Sequence, residues 1–318
     1  MKLSFDTIKS ITVGAVRIWE ENGNVHFCKC TQKQVDAWYK IEHILGERAE
    51  CTTGVRLDFY TNSSTFSFTA ASGNKFEIYV NNLMQYNLRG ADLENGSYSI
   101  KLNGEENRIT LVLPSHELAI ISAVELDDGA SVRPVDFDCK MMFIGDSITQ
   151  GWDSGYDSLS YAYRVSRFFN ADSVIHGVGG GFFHETIFDG DVPYDPDIVV
   201  IAFGTNDWGR FKSLDLLKEQ ASKFLGAIAK KYAEKKIFAI SPIWRANPED
   251  EVRATGTFAE VCEAVKAEIN KAGIILIDGL TLVPHHSDFY ADAYLHPNAL
   301  GFGIYAENLI LEMQKHLG

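Results

Sequence analysis

The stretch Met141-Met142-Phe143-Ile144-Gly145-Asp146-Ser147-Ile148-Thr149-Gln150-Gly151 decides how the rest of the chain is read. An apolar run ended by Gly-Asp-Ser predicts a buried strand that hands a hydroxyl to the edge of a sheet. Ser147 is thereby the candidate nucleophile. A three-residue signal of this kind arises by chance in roughly one chain in ten at average composition, so partners elsewhere must decide.

Working outward toward the C-terminus, strand-like runs at 140–144, 173–176, 197–203, 236–241 and 274–278 alternate with helical stretches near 158–170, 213–233, 255–272 and 299–316. In one of these, Leu214, Leu217, Ala221, Phe224, Leu225 and Ile228 form an apolar stripe with Ser213 placed to cap it. Alternation of this kind predicts an α/β fold, a parallel sheet covered on both faces. In such sheets functional residues gather beyond the carboxyl ends of the strands. Ser147, Gly180 and Asn206 each follow a predicted strand, so topology brings them to one edge.

Toward the N-terminus the period is two. Val55, Leu57 and Phe59 alternate with Arg56, Asp58 and Tyr60, and similar runs lie around Ile78 and Leu111. Asn22-Gly23, Asn95-Gly96 and Asn103-Gly104 supply hairpin turns. Only a helical pattern at about 33–45, with Val35, Trp38, Ile41 and Leu45, interrupts. The expectation is an antiparallel β-sandwich or jelly roll at 1–132 ahead of an α/β domain at 133–318, the boundary resting on the change of period near 128–136.

A serine hydroxyl is a weak nucleophile until a base takes its proton, and a histidine does this best near neutral pH. His296, in Tyr294-Leu295-His296-Pro297-Asn298 just before the last predicted helix, is the candidate. With Gly-Asp-Ser at 145–147, the glycine cluster His176-Gly177-Val178-Gly179-Gly180-Gly181 and Gly204-Thr205-Asn206-Asp207, it completes an ordered set of blocks. Together they resemble the SGNH (GDSL-type) hydrolases, a family of esterases and lipases, over about residues 140 to 318.

The resemblance implies a serine esterase that needs no metal or organic cofactor, with Ser147 as nucleophile and His296 as base. It implies an oxyanion hole made by the backbone N–H groups of Ser147 and Gly180 and the side-chain amide of Asn206. Gly179 or Gly181 replaces Gly180 if the glycine run is displaced by one. The family's acid usually stands three residues before the histidine, where this chain has Ala293. Asp292, one residue further away, is the candidate acid. Asp288 is a weaker one, and a Ser-His dyad oriented by a backbone carbonyl is the remaining alternative.

Composition narrows the partners. With 29 basic and 43 acidic residues the net charge is −14, which disfavours nucleic acid and anionic membranes. Five cysteines without a CxxC pair indicate reduced thiols rather than disulfides or zinc. His184, His285 and His286 have no metal-ligand spacing and read as packing or solvated residues. The absence of a leader-like or membrane-spanning apolar run gives a cytoplasmic expectation.

The turn Ser241-Pro242-Ile243-Trp244-Arg245 falls at the active edge. Trp244 can stack on a sugar ring and Arg245 can bond its hydroxyls, or the pair can simply end a strand. Trp152 and Tyr156 are further wall candidates. Tyr60 and Tyr79 are either glycan-facing aromatics of the sandwich or ordinary strand residues. A β-sandwich ahead of an SGNH domain is similar to two-domain carbohydrate esterases that remove acetyl groups from plant polysaccharides, so the expected substrate is a small-molecule or oligosaccharide ester. The alternatives are a lipase or thioesterase for longer acyl chains, and a carbohydrate-binding protein with a degenerate hydrolase domain.

Overall fold

The computed structural model describes residues 1–246 and 249–317. Two antiparallel sheets face one another in the N-terminal half. One runs in the order Thr12–Val13, Arg56–Thr61, Asn107–Val112, Lys75–Val80, Leu83–Arg89, with Arg133–Pro134 added beside Arg56–Thr61. The other runs Arg17–Glu21, Asn24–Cys28, Ile120–Leu126, Thr65–Ser72, Ser97–Lys101. The alternation seen in sequence is what fills the space between them: Leu57, Phe59, Phe66, Phe68, Phe76, Ile78, Ile109 and Leu111 are all fully buried in one cluster.

The chain leaves these sheets between Arg133–Pro134 and Cys139–Gly145, the first parallel strand. We propose a domain division at 1–132 and 133–318. The parallel sheet has the order Ala171–Gly177, Cys139–Gly145, Ile198–Ala202, Lys236–Ile240, Ile275–Ile277. The second strand in sequence therefore lies on one side of the first and the third on the other. The order reverses at the first strand, the switch point where open α/β sheets bind ligands.

The helix Leu214–Lys231 is capped by the Ser213 hydroxyl, which accepts from the Leu216 N–H, and buries the expected stripe of Leu217, Ala221, Phe224, Leu225 and Ile228. Each large side chain in that stripe stabilises by about 1.5–3 kcal/mol relative to exposure. The last helix, Ala299–Leu317, buries Phe302, Tyr305, Leu309 and Met313 and leaves Leu300 and Leu311 exposed.

Two departures from the sequence expectation concern how the halves join. The single helix at 33–45 is two helices, Gln32–Ile41 and His43–Glu50, broken at Glu42, whose backbone is extended. Their buried Val35, Trp38, Leu45 and Ala49 join Val178, Phe182, Ile201 and Phe203 in the core of the parallel-sheet half. Tyr79, read as exposed or an ordinary strand residue, is buried, its hydroxyl 2.6 Å from Ser158 Oγ; Glu77 accepts from the same serine. Tyr60 lies under Arg133, whose guanidinium is 4.2 Å from the ring centroid. Arg56 adds a buried pin, donating to the Ala171 carbonyl at 3.1 Å and pairing with Asp58.

Candidate active site

Gly145 ends the first parallel strand because the chain must turn back on itself there. A Cβ at this position would lie 2.6 Å from the Ala202 carbonyl oxygen of the neighbouring strand. The turn delivers Ser147 into the short helix Ser147–Gln150, where the Asp146 carboxylate accepts from the Ile148 N–H at 2.9 Å. Ser147 is buried to within 6% of full enclosure, and its Oγ lies 2.9 Å from His296 Nε2.

His296 lies on a loop closed by the Tyr290 and Pro297 bridge, just before the helix capped by Asn298. Its Nδ1 is 2.9 Å from Asp292 Oδ2. The other oxygen of Asp292 accepts three backbone N–H groups, from Tyr294 at 2.9 Å, Leu295 at 2.7 Å and His296 at 3.1 Å. Partial burial pushes the Asp292 carboxyl up, but those N–H groups and the imidazole together hold it below its ordinary value. The extra residue relative to the usual spacing is absorbed at Ala293, which takes a left-handed backbone with φ of 60°. That conformation costs a non-glycine residue about 1–2 kcal/mol. Ala293→Val, which adds a β-branch at this φ, should lower the melting temperature and cut activity with it; Ala293→Gly should preserve both. Thermal melts paired with ester hydrolysis check this.

The glycine loop is fixed by its neighbours. Gly179 donates its N–H to Gln150 Oε1 at 2.6 Å and its carbonyl accepts from Arg48 at 2.8 Å, while the Gly181 N–H is taken by the Val178 carbonyl at 2.8 Å. Among the described residues the Gly180 N–H alone of these has no acceptor, and Gly180 has φ of 80°, a geometry that favours glycine. Asn206 Nδ2 donates to the Gly181 carbonyl at 2.9 Å, which ties the third-strand loop to the glycine loop and leaves the second amide proton for another acceptor.

Several residues at this site carried no assignment from sequence. Arg48 comes from the N-terminal half and lies over Trp152, 5.2 Å from its ring centroid; Trp152 in turn lies 6.2 Å from the His296 ring. His116 packs edge-on against the same tryptophan at 4.8 Å, and burial pushes its imidazole down to about 4. Asp153 places a second carboxylate 3.6 Å from His296 Nδ1. Asp153, Asp292 and His296 are close enough to hold a cation, but the 2.9 Å separation of Nδ1 and Asp292 is that of an N–H···O bond. Gln150 was visible in the opening stretch; Arg48 and His116 arrive only through the tertiary fold.

Trp244 and Arg245 are less available than expected. Trp244 is stacked on His285 at 5.7 Å and packed on Tyr290 at 5.2 Å. Arg245 is buried, with its guanidinium on Thr205 and the Tyr294 hydroxyl and against the rings of Trp208, Phe258 and Tyr294. Through Nη1 it donates to the Thr205 carbonyl and so braces the loop that carries Asn206.

Beneath the site, burial pushes the carboxyls of Asp146 and Asp207 up to about 7. Asp207 accepts from the Phe183 N–H at 3.0 Å through Oδ1, while among the described residues its Oδ2 has no partner. Folded values above the unfolded ones mean that their stabilising contribution is full below about pH 4 and is lost as pH rises toward 7. Asp207→Asn should therefore raise the melting temperature more at pH 8 than at pH 5, by an amount on the order of a few kcal/mol in stability. Thermal melts across that range check the sign.

The model of the GDSL-like lipase/acylhydrolase family matches residues 143–304, from the first parallel strand to the last helix. This chain belongs to that family. It is a carboxylic ester hydrolase, with the matched segment carrying Ser147, Gly180, Asn206, Asp292 and His296. Comparison with curated proteins finds no match. Among solved structures, the acylhydrolase is similar to the salicylyl-acyltransferase SsfX3 from a tetracycline biosynthetic pathway, with a TM-score of 0.77 at 17% identity over 96% of this chain and 95% of that one. It is also similar to a family two carbohydrate esterase from Cellvibrio japonicus, with a TM-score of 0.68 at 14% identity over 99% and 97%. A third is the family two carbohydrate esterase from Clostridium thermocellum in complex with cellohexaose, at 0.62 and 19% over 83% and 92%. These likenesses extend through the β-sandwich, so the two-part architecture is shared and not only the hydrolase fold. Among the described residues no helix is long and apolar enough to cross a membrane.

Proposed function

We propose that this hydrolase removes short acyl groups, acetyl foremost, from carbohydrate esters through an acyl-enzyme on Ser147. The observation that carries the reading is the unbroken relay Ser147 Oγ to His296 Nε2 to Asp292, 2.9 Å at each step. In the first step His296 takes the hydroxyl proton as Oγ attacks the carbonyl carbon. The Asp292 carboxylate holds the ring with Nδ1–H toward itself and stabilises the imidazolium. The carbonyl oxygen becomes an oxyanion that receives N–H groups from Ser147, Gly180 and the Asn206 amide; such preorganised donors contribute roughly 3–4 kcal/mol apiece in related chemistry. Collapse releases the alcohol with the proton from His296. Water, deprotonated by His296, then attacks the acyl-serine and regenerates the hydroxyl as the carboxylic acid leaves.

The carbohydrate part of the proposal is supported by the neighbouring family two carbohydrate esterases, one solved with cellohexaose, which share both halves of this architecture. The enclosed Ser147 and the wall of Trp152, Arg48 and His116 fit a small acyl group better than a long chain. The Asp292 carboxylate within hydrogen-bond distance of His296 Nδ1 supports catalysis over the alternative of a carbohydrate-binding protein with a degenerate hydrolase domain. Acetate release from an acetylated xylo-oligosaccharide, an aryl acetate and an aryl octanoate tests the proposal. Hydrolysis of both acetates with the octanoate slow supports it. Cleavage of the aryl acetate alone would remove the carbohydrate assignment and keep the chemistry, and a preference for octanoate would favour the lipase alternative.

A further inference from the structure

A cavity of about 880 Å³ opens between the two halves, away from the serine. Its wall includes Ala171, which pairs with Cys139 at the start of the first parallel strand, whereas Ser147 follows Gly145 at the other end. Six residues of strand separate the two positions, roughly 20 Å at about 3.3 Å per residue. The volume suits a small organic ligand.

The charge in this cavity runs against that of the molecule. The chain carries −14, yet the charged residues lining the cavity are four arginines, Arg56, Arg108, Arg164 and Arg167, against two carboxylates, Asp58 and Glu307. Asp58 is consumed by two of the arginines: Arg56 Nε at 3.3 Å, and Arg108 through two bonds of 2.8 Å. Among the described residues no carboxylate lies within 4.0 Å of Arg164 or Arg167. Arg164 donates to the Leu159 carbonyl at 2.9 Å and Arg167 to the Asn82 carbonyl at 3.0 Å, which satisfies one donor on each and neutralises neither. Both stand one turn apart on the helix Tyr161–Phe168. Arg164 is half-buried against Gly303, where a Cβ would come within 3.8 Å of the guanidinium. Burial pushes that guanidinium down, and Arg167 repels it further.

Two like charges held together, one of them partly desolvated and without a counter-ion, destabilise the folded chain unless something brings the missing anion. Guanidinium forks match the oxygens of a carboxylate or phosphate. Beyond them the wall offers the amides of Asn82, Asn170 and Gln314 for hydroxyls, with Phe168 as an exposed apolar face. We propose that this cavity binds a small polyhydroxylated anion, a sugar acid or a sugar phosphate, whose charged group is held between Arg164 and Arg167. The inference is independent of the chemistry assigned to Ser147.

Isothermal titration calorimetry on the full chain tests it, using glucuronate and glucose 6-phosphate as probes and glucose as the neutral control. At least one of the two anions should bind one per chain, about tenfold or more tighter than glucose, and the stronger of them identifies carboxylate or phosphate as the natural group. Arg164→Gln and Arg167→Gln should each weaken that binding about tenfold or more, while aryl acetate hydrolysis stays within about twofold of the unsubstituted enzyme. Arg167 is exposed, its side-chain contacts limited to the Asn82 carbonyl and the Tyr79 ring face at 4.9 Å among the described residues, so its replacement should leave the fold intact, as a thermal melt checks, and keeps the test decisive if Arg164→Gln is poorly folded. Failure of both anions to bind at millimolar concentration, or binding indifferent to the Arg167 substitution, overturns the proposal. Since the readout is heat of binding and not turnover, neither result depends on whether sugar acetates are substrates.

Discussion

Ser147→Ala should abolish ester hydrolysis, with kcat falling by about 10⁵–10⁶-fold and the melting temperature unchanged within a degree or two. The size follows from the relay: removing the nucleophile of a serine hydrolase costs about as much as removing the whole triad. Residual turnover comes only from the oxyanion donors acting on water. The fold should not notice, because among the described residues the Oγ bonds only to His296, while the turn is held by the Asp146 cap and the closely packed Gly145. A steady-state assay with an aryl acetate and a thermal melt check both halves. A loss of activity accompanied by a large drop in stability would assign Ser147 a structural role instead.

The second large effect is expected at Asp292. Replacing the partner of Nδ1 by an amide in a serine triad lowers kcat by about 10⁴-fold, because the imidazole is then stabilised in the wrong tautomer. Here Asp292→Asn should cost less, about 10²–10³-fold, since Asp153 already presents a carboxylate 3.6 Å from the same nitrogen. Asp153→Asn alone should change kcat by less than about twofold, as that contact is too long for a hydrogen bond. The double substitution should fall to about 10⁴-fold, beyond the product of the single effects, because each carboxylate covers for the other. Steady-state kcat for the four proteins measures this. Simple multiplicativity would mean that Asp153 does not engage the ring when Asp292 is removed.

The asymmetry between those two predictions reflects how the site is written in the sequence. Ser147, Gly180, Asn206 and His296 were legible because each follows a strand or precedes a helix whose periodicity is strong, and a parallel sheet gathers strand ends by topology alone. Asp292 was legible only as a candidate. Its reach depends on Ala293 taking a left-handed backbone, and alanine gives no sign that it will do so. Arg48 stands 131 residues before the Gly179 carbonyl to which it donates, and no local pattern announces that the helix His43–Glu50 of the first half packs on the glycine loop of the second.

The misreadings have the same origin. Period two placed Tyr79 on a strand correctly, but a face turned toward other parts of the chain has the same sequence signature as one turned toward water. Arg245 follows a strand at the catalytic edge, as position predicted, yet its guanidinium is enclosed by Trp208, Phe258 and Tyr294 and serves the Asn206 loop. Helix breaks behave similarly: Val35, Trp38, Ile41 and Leu45 keep helical spacing across Glu42, so the interruption there is invisible to periodicity.

The most direct test of the account is to find the residue that becomes acylated. The protein would be treated with an aryl dialkyl phosphate, a reagent that phosphorylates an activated serine and is not released, and then digested and mapped by mass spectrometry. Stoichiometric modification of Ser147 with parallel loss of activity is expected, and none in a His296→Ala variant, where no base activates the hydroxyl. Full inactivation with the label on another residue, or hydrolysis that persists after Ser147 is labelled, would contradict it.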